Sequence, residues 1–253
     1  MDHRDDRPEN LTLERPIDAA ELQVKVFADG ADLQGILDLY ANPLIKGFTT
    51  NPTLMHKVGL RDYEAFARSF VEAVPDRPIS FEVFSDEFAE MERQARKIAA
   101  WGEHVHVKVP VTNTRGDHCE EVLRHLVADG VRLNVTGMMT LRQVSWVAEA
   151  IGGGAPSYVS VFAGRIADTG RDPLPIMREA LDVLAVHENL ELIWASPREL
   201  LNVVQADQIG CHIITVTHDL LRKLPWLGRD LDEFSLDTVR MFHRDAAAAG
   251  FTL

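Results

Sequence analysis

Eight short apolar runs, separated by segments with helical spacing, constrain this chain more than any other feature. The runs are 24–28, 45–48, 79–84, 104–109, 131–135, 158–162, 190–195 and 212–216. Between them, apolar side chains recur at three and four, as Tyr63, Phe66, Ala67 and Phe70 do in 62–73, and Phe88, Met91, Ala95, Ile98 and Ala99 do in 86–101. Ser85-Asp86-Glu87 and Thr140 mark helix starts, and Gly130 and Gly210 mark helix ends. Strict alternation of β and α predicts parallel strands joined by crossover helices, and eight units closing on themselves predict a single (β/α)8 TIM barrel, a fold that commonly takes about 250 residues. A doubly wound open sheet is the competing α/β solution, but no GxGxxG loop follows an early run, and Gly152-Gly153-Gly154 follows a helix. The catalytic domain is expected over 22–253, with 234–249 as an extra C-terminal helix that brings Phe242 and its neighbours onto the domain or a partner subunit. Residues 1–21 read as a flexible or surface-lying extension, without the apolar stretch of a secretory signal.

In such a barrel the chemistry belongs to the C-terminal ends of the strands. The segment 104–110, HVHVKVP, carries a lysine there. Its period-two alternation puts His104, His106 and Lys108 on one face and Val105, Val107 and Val109 on the other. If helices cover the valines, Lys108 faces the interior, where an ammonium either loses its proton more readily or finds a carboxylate. Either state suits a Schiff-base nucleophile, and the alternative is a lysine that snorkels from the strand end into solvent. Lys25 and Lys46 begin their runs, at the end of a barrel that serves stability.

A formal net charge of −13 argues against nucleic acid or an anionic membrane as partner, so an anionic substrate must be caught by a local cluster of arginines. Cys119 and Cys211 form no disulfide framework or zinc pattern and are read as reduced packing thiols of a cytoplasmic protein. No apolar run has the length of about 20 residues that a membrane helix needs.

The other expected strand ends supply Asp29, Thr49-Thr50-Asn51-Pro52, Glu82, Asn134 with Thr136, Ser160 with Phe162 and Arg165, and Ser196 with Arg198 opening the next helix. Each has a plainer reading: Asp29 as a helix cap, Glu82 as a structural ion pair with Lys108, and 49–52 as a turn. The pair His104 and His106 raises a metal-dependent hydrolase, but Asn134, Thr136 and Ser160 stand where further ligands would be needed, so no metal is expected.

The segments VFADGAD, GFTTNPTL, VKVP, NVT, SVFAGRI and WASPR, in this order, resemble the motifs of the transaldolase family, in the compact form that includes fructose-6-phosphate aldolases. The resemblance implies class I aldolase chemistry without a cofactor, with sugar phosphates as partners and a homo-oligomeric assembly. It makes Lys108 the Schiff-base nucleophile, Asp29 the proton carrier, and Glu82 with Thr136 the holders of a proton-shuttling water. Thr49, Asn51, Asn134 and Ser160 would bind the retained dihydroxyacetone unit, with Phe162 beside it, and Arg165, Ser196 and Arg198 would bind phosphate. Glu82, Asn134 and Phe162 are of the transferase type, where the aldolases carry glutamine, an apolar residue and tyrosine. Gly30 departs from the usual serine or threonine after the aspartate, Gly137-Met138-Met139 is less familiar, and the loop 112–117 is longer and carries Arg115. The remaining alternatives are an aldolase that releases dihydroxyacetone and a non-catalytic sugar-phosphate-binding barrel.

Overall fold

Each apolar run forms a parallel strand, and the last closes on the first, in the computed structural model, which describes residues 18–251. The strands are β1 (Lys25–Asp29), β2 (Ile45–Thr49), β3 (Ile79–Glu82), β4 (Val105–Pro110), β5 (Leu133–Met138), β6 (Ser157–Val161), β7 (Leu190–Trp194) and β8 (Ile213–Thr217). The helices are α1 (Leu33–Tyr40), α2 (Pro52–Lys57), α3 (Tyr63–Ala73), α4 (Phe88–Ala99), α5 (Glu120–Ala128), α6 (Leu141–Ile151), α7 (Ala163–Ala167), α8 (Leu174–Leu184), α9 (Leu201–Gln208), α10 (His218–Leu221) and α11 (Leu231–Ala249). The chain is an α/β protein with a closed (β/α)8 barrel.

The described residues fall into two compact units, 22–222 with all eight strands, and 18–21 with 223–251. In the second unit, α11 starts at Leu231 rather than 234 because the Asp230 side chain caps it by accepting from Glu233 N at 2.9 Å. Its Phe242 is 62% exposed. The expectation for the N-terminal extension lies outside the described residues up to residue 17.

Strand parity sorts the barrel as the alternation predicts. Val105, Val107 and Val109 of β4 are buried on the side of α4, while His106 and Lys108 alternate with them. On the inner face a plug fills the lower barrel: the Phe27 ring meets Tyr158 edge-on at 5.8 Å, and Tyr158 lies flat on His106 at 4.1 Å, beside Ile193 and Ile213. Burial pushes the His106 imidazole down to about 4, so it packs as a neutral ring. Lys25 pairs with Glu191 at 2.6 Å at the opposite end from the strand C-termini. The plug closes the lower barrel, and above it a cavity opens at the C-terminal ends of the strands.

Two strand limits differ from the sequence pattern for local reasons. β3 stops at Glu82 because the amides of Phe84 and Ser85 turn to the Gln94 side chain, at 2.8 and 3.1 Å. β5 runs on to Met138 because Gly137 takes a positive φ of 82°, which lets the register shift and Met138 pair with Val161.

Candidate active site

All twelve residues to which the family resemblance gives a role line one cavity of about 580 Å³ at the C-terminal end of the barrel: Asp29, Thr49, Asn51, Glu82, Lys108, Asn134, Thr136, Ser160, Phe162, Arg165, Ser196 and Arg198. Lys108 does not snorkel. It is 7% exposed, donates to the Thr50 carbonyl at 3.0 Å and stands 3.4 Å from Glu82 Oε2. The register of β3 against β4 sets this pair, since Glu82 and Lys108 are direct cross-strand partners. Tyr63 fixes the Glu82 backbone, its hydroxyl accepting from the amide at 2.8 Å and donating to the carbonyl at 3.1 Å.

Asp29 sits at the end of β1. Its helix-capping alternative falls to Asp32, whose side chain accepts from Gly35 N at 2.8 Å. Thr49 donates to Asp29 Oδ1 at 2.9 Å, and Asn51 Nδ2 donates to Oδ2 at 3.4 Å. Burial nevertheless holds the carboxyl above its ordinary value, against the opposing pull of Lys108, those two hydrogen bonds and His218. Asn51 can reach it because the residue is also the cap of α2: its Oδ1 accepts from Leu54 N at 2.9 Å, and Pro52 follows at the first helical position.

Asn134 is held in one orientation, accepting from Ser160 Oγ at 2.7 Å and donating to Ser80 Oγ at 2.9 Å. The buried Thr136 hydroxyl has no hydrogen-bond partner among the described residues. A buried hydroxyl of this kind is suited to hold a water or a substrate group.

The arginine side of the cavity depends on a close approach between α7 and the loop after β7. A Cβ on Gly164 would lie 1.6 Å from the Ser196 carbonyl oxygen, so only glycine fits there. Ser196 itself is held at φ 60°, a strained conformation for a residue with a side chain. Arg198 does not open a helix as expected; α9 starts at Leu201, and the Asn202 side chain accepts from the amides of Arg198 and Glu199 at 2.8 and 3.2 Å. The Arg198 guanidinium forks onto Asp168 at 3.0 and 2.5 Å, and Arg165 lies over the Phe162 ring at 5.8 Å. Arg115, by contrast, is engaged by Asp86, Glu87 and Asp117.

Sequence reasoning missed several lining groups. Thr215 and Thr217 of β8 line the cavity, and Thr215 shares a 2.5 Å hydrogen bond with Thr49. The inward parity of Ile213, Thr215 and Thr217 was the signal for them. Lys57, the last residue of α2, also lines the cavity, with no sequence signal beyond its place after TTNP. The lining set holds four cations, Lys57, Lys108, Arg165 and Arg198, against two carboxylates, Asp29 and Glu82, in a chain of net charge −13. The cavity is thus locally positive. Among the described residues, no three His, Cys, Asp or Glu side chains gather to hold a metal ion.

A family profile described as Transaldolase/Fructose-6-phosphate aldolase matches residues 26–253. The chain belongs to this family. A protein of Thermoanaerobacter sp. named "Probable transaldolase" is 35% identical over 218 residues, covering 85% of this chain and 96% of the relative. A protein of the same name from Dehalococcoides mccartyi is 32% identical over 202 residues, covering 79% of this chain and 90% of the relative. The crystal structure of dihydrodipicolinate synthase from Rhodopseudomonas palustris superposes with a TM-score of 0.51 at 15% identity, covering 79% of this chain and 71% of that one. That likeness is one of fold alone. Within the family, the cross-strand pair of Glu82 and Lys108 and the cap that holds Asn51 against Asp29 give the VKVP and TTNP motifs a structural meaning.

Proposed function

We propose that this chain is a transaldolase that moves a dihydroxyacetone unit from a ketose phosphate, such as fructose 6-phosphate or sedoheptulose 7-phosphate, to an aldose phosphate. The observation that carries the reading is a nearly buried Lys108, 3.4 Å from Glu82, in a cavity that also holds Asp29, Arg165 and Arg198. Lys108 Nζ, its proton passed to Glu82, attacks the ketose carbonyl to form a carbinolamine. Loss of water from that adduct, with protons moved by Glu82 and a water on Thr136, leaves a protonated imine. Asp29 then takes the C4 hydroxyl proton as the C3–C4 bond breaks; the bonding electrons pass into the imine to give an enamine, and the aldehyde leaves. A second aldehyde accepts the enamine carbon while Asp29 returns the proton to its oxygen, and hydrolysis of the new imine frees Lys108. Thr49, Asn51, Asn134 and Ser160 hold the three-carbon unit, and Ser196, Arg165 and Arg198 hold the phosphate, which suits guanidinium geometry.

Glu82 and Phe162 favour transfer over release. A glutamate organises the water that serves imine formation, and phenylalanine brings no phenol proton to the enamine. The test is release of glyceraldehyde 3-phosphate from fructose 6-phosphate with and without erythrose 4-phosphate. A transaldolase shows release that depends on the acceptor, and equal rates would instead mark an aldolase that frees dihydroxyacetone. The same reading carries a cytoplasmic homo-oligomer as its expected setting.

Arg198 exchanges Asp168 for substrate phosphate in this scheme, and the displaced pair is half exposed, so its loss costs little. Arg198→Ala is therefore expected to raise KM for a phosphorylated donor by about 10- to 100-fold, the value of a forked charge-assisted contact. Arg115→Ala, whose guanidinium is committed to three carboxylates, should leave KM within about twofold, as surface ion pairs usually do. Equal effects of the two substitutions in steady-state kinetics would place the phosphate elsewhere.

A further inference from the structure

The hydroxyl of Thr215 has no part in the steps above. β2 and β8 flank β1 on its two sides, and the register sets Asp29 beside Thr49 of β2 and Phe27, one pleat lower, beside Thr215 of β8. The two threonines meet across the inner face of β1, with 2.5 Å between their hydroxyl oxygens, and both are buried. An apolar side chain of the same shape would fit this place, because the plug below it is built with Phe27, Ile193 and Ile213. Burial of a hydroxyl there is unfavourable without its hydrogen bond, so the bond to Thr49 is what gives threonine an advantage over valine.

Proton accounting gives that bond a direction. Thr49 has a single hydroxyl proton, and it donates it to Asp29 Oδ1 at 2.9 Å. Toward Thr215 the Thr49 oxygen can then only accept, so the donors run from Thr215 to Thr49 to the carboxylate. Hydrogen bonds in such a chain strengthen one another. The second lone pair of the Thr49 oxygen stays open for a substrate hydroxyl. Asp29 Oδ2, by contrast, receives only the long contact of 3.4 Å from Asn51 Nδ2. One carboxylate oxygen is firmly engaged, and the other keeps the capacity for a proton.

We infer that Thr215 is a positioning residue for carbon–carbon cleavage: by donating to Thr49 it commits the Thr49 proton to Asp29 Oδ1 and leaves Oδ2 to take the C4 hydroxyl proton. The inference rests on the transaldolase reading. The proton moves from the sugar oxygen directly to Oδ2 as the C3–C4 electrons pass into the imine, and none passes through the threonines. Without the Thr215 hydroxyl, Thr49 is free to turn its proton away from Asp29, and the carboxylate loses its fixed orientation.

The experiment is a single turnover of fructose 6-phosphate, read as release of glyceraldehyde 3-phosphate and, in parallel, as the borohydride adduct on Lys108. Thr215→Val is expected to slow release about 3- to 10-fold, the worth of one hydrogen bond, while the adduct forms as in the wild type. Thr215→Ser, which keeps the hydroxyl, should hold release within about twofold of the wild type. In a Thr49→Val background, Thr215→Val should change release by less than about twofold, because its route to Asp29 is already gone. Release unchanged in Thr215→Val, or slowed by the same factor in both backgrounds, overturns the role of Thr215 and leaves the transaldolase reading standing. Failure of the wild type itself to form the adduct overturns that reading instead. If the valine variant does not fold, Thr215→Ala is measured in its place.

Discussion

Lys108→Arg abolishes the covalent adduct with fructose 6-phosphate and lowers turnover by at least about 10,000-fold, the scale on which loss of a covalent nucleophile is felt. Arginine keeps the positive charge opposite Glu82, so the barrel should fold and melt close to the wild type. Lys108→Ala gives the same loss of activity but also leaves Glu82 without its partner in a largely buried site, and removal of one member of a buried pair destabilises by about 3–5 kcal/mol at most. Glu82 retains 18% side-chain exposure, which moves the expected cost to the lower part of that range. Stopped activity with an unchanged fold in the arginine variant separates chemistry from structure. Residual turnover within about tenfold of wild type would contradict the assignment.

Asp29→Asn is the second large effect, and it falls on a different step. It should lower kcat by about 100- to 10,000-fold, the usual contribution of a positioned general base. The adduct should still form, because attack of Lys108 on the carbonyl does not need Asp29. The wild type also carries a pH signature. Asp29 must be ionised to take the hydroxyl proton, and burial holds its carboxyl above its ordinary value of 3.8. Activity therefore falls as pH drops through a midpoint higher than that of a free aspartate, and the asparagine variant lacks this limb. Stability runs the opposite way. A carboxyl that binds its proton more tightly when folded adds stability at low pH and loses it as pH rises through the folded value. At neutral pH the ionised Asp29 is thus a burden on the fold, and Asp29→Asn should raise Tm, as substitutions at sites kept for function commonly do. A lower Tm at neutral pH would contradict the electrostatic picture of this site.

Much of the molecule was legible because period and parity act locally. Alternation in 104–110 is enough to separate the valines from Lys108, whereas Asn51 was singled out by the family resemblance and its place as the cap of α2 appears only in the structure. What stayed hidden depends on contacts between distant segments. Asp168 forks onto Arg198 across 30 residues of chain, and the need for glycine at 164 appears only when α7 meets the Ser196 carbonyl. Arg198 was expected to open a helix, but the Asn202 side chain satisfies the backbone first and delays α9 to Leu201. His218 was invisible for the same reason. Its ring packs against Gly30 and Gly35, nearly the whole barrel away in sequence and adjacent because β8 closes onto β1.

Borohydride reduction in the presence of fructose 6-phosphate, followed by mass spectrometry of the peptides, is the most direct measurement. A Schiff-base transaldolase yields a reduced sugar adduct on Lys108 alone, without added metal. No adduct, or an adduct on Lys25, Lys46 or Lys57, would contradict it.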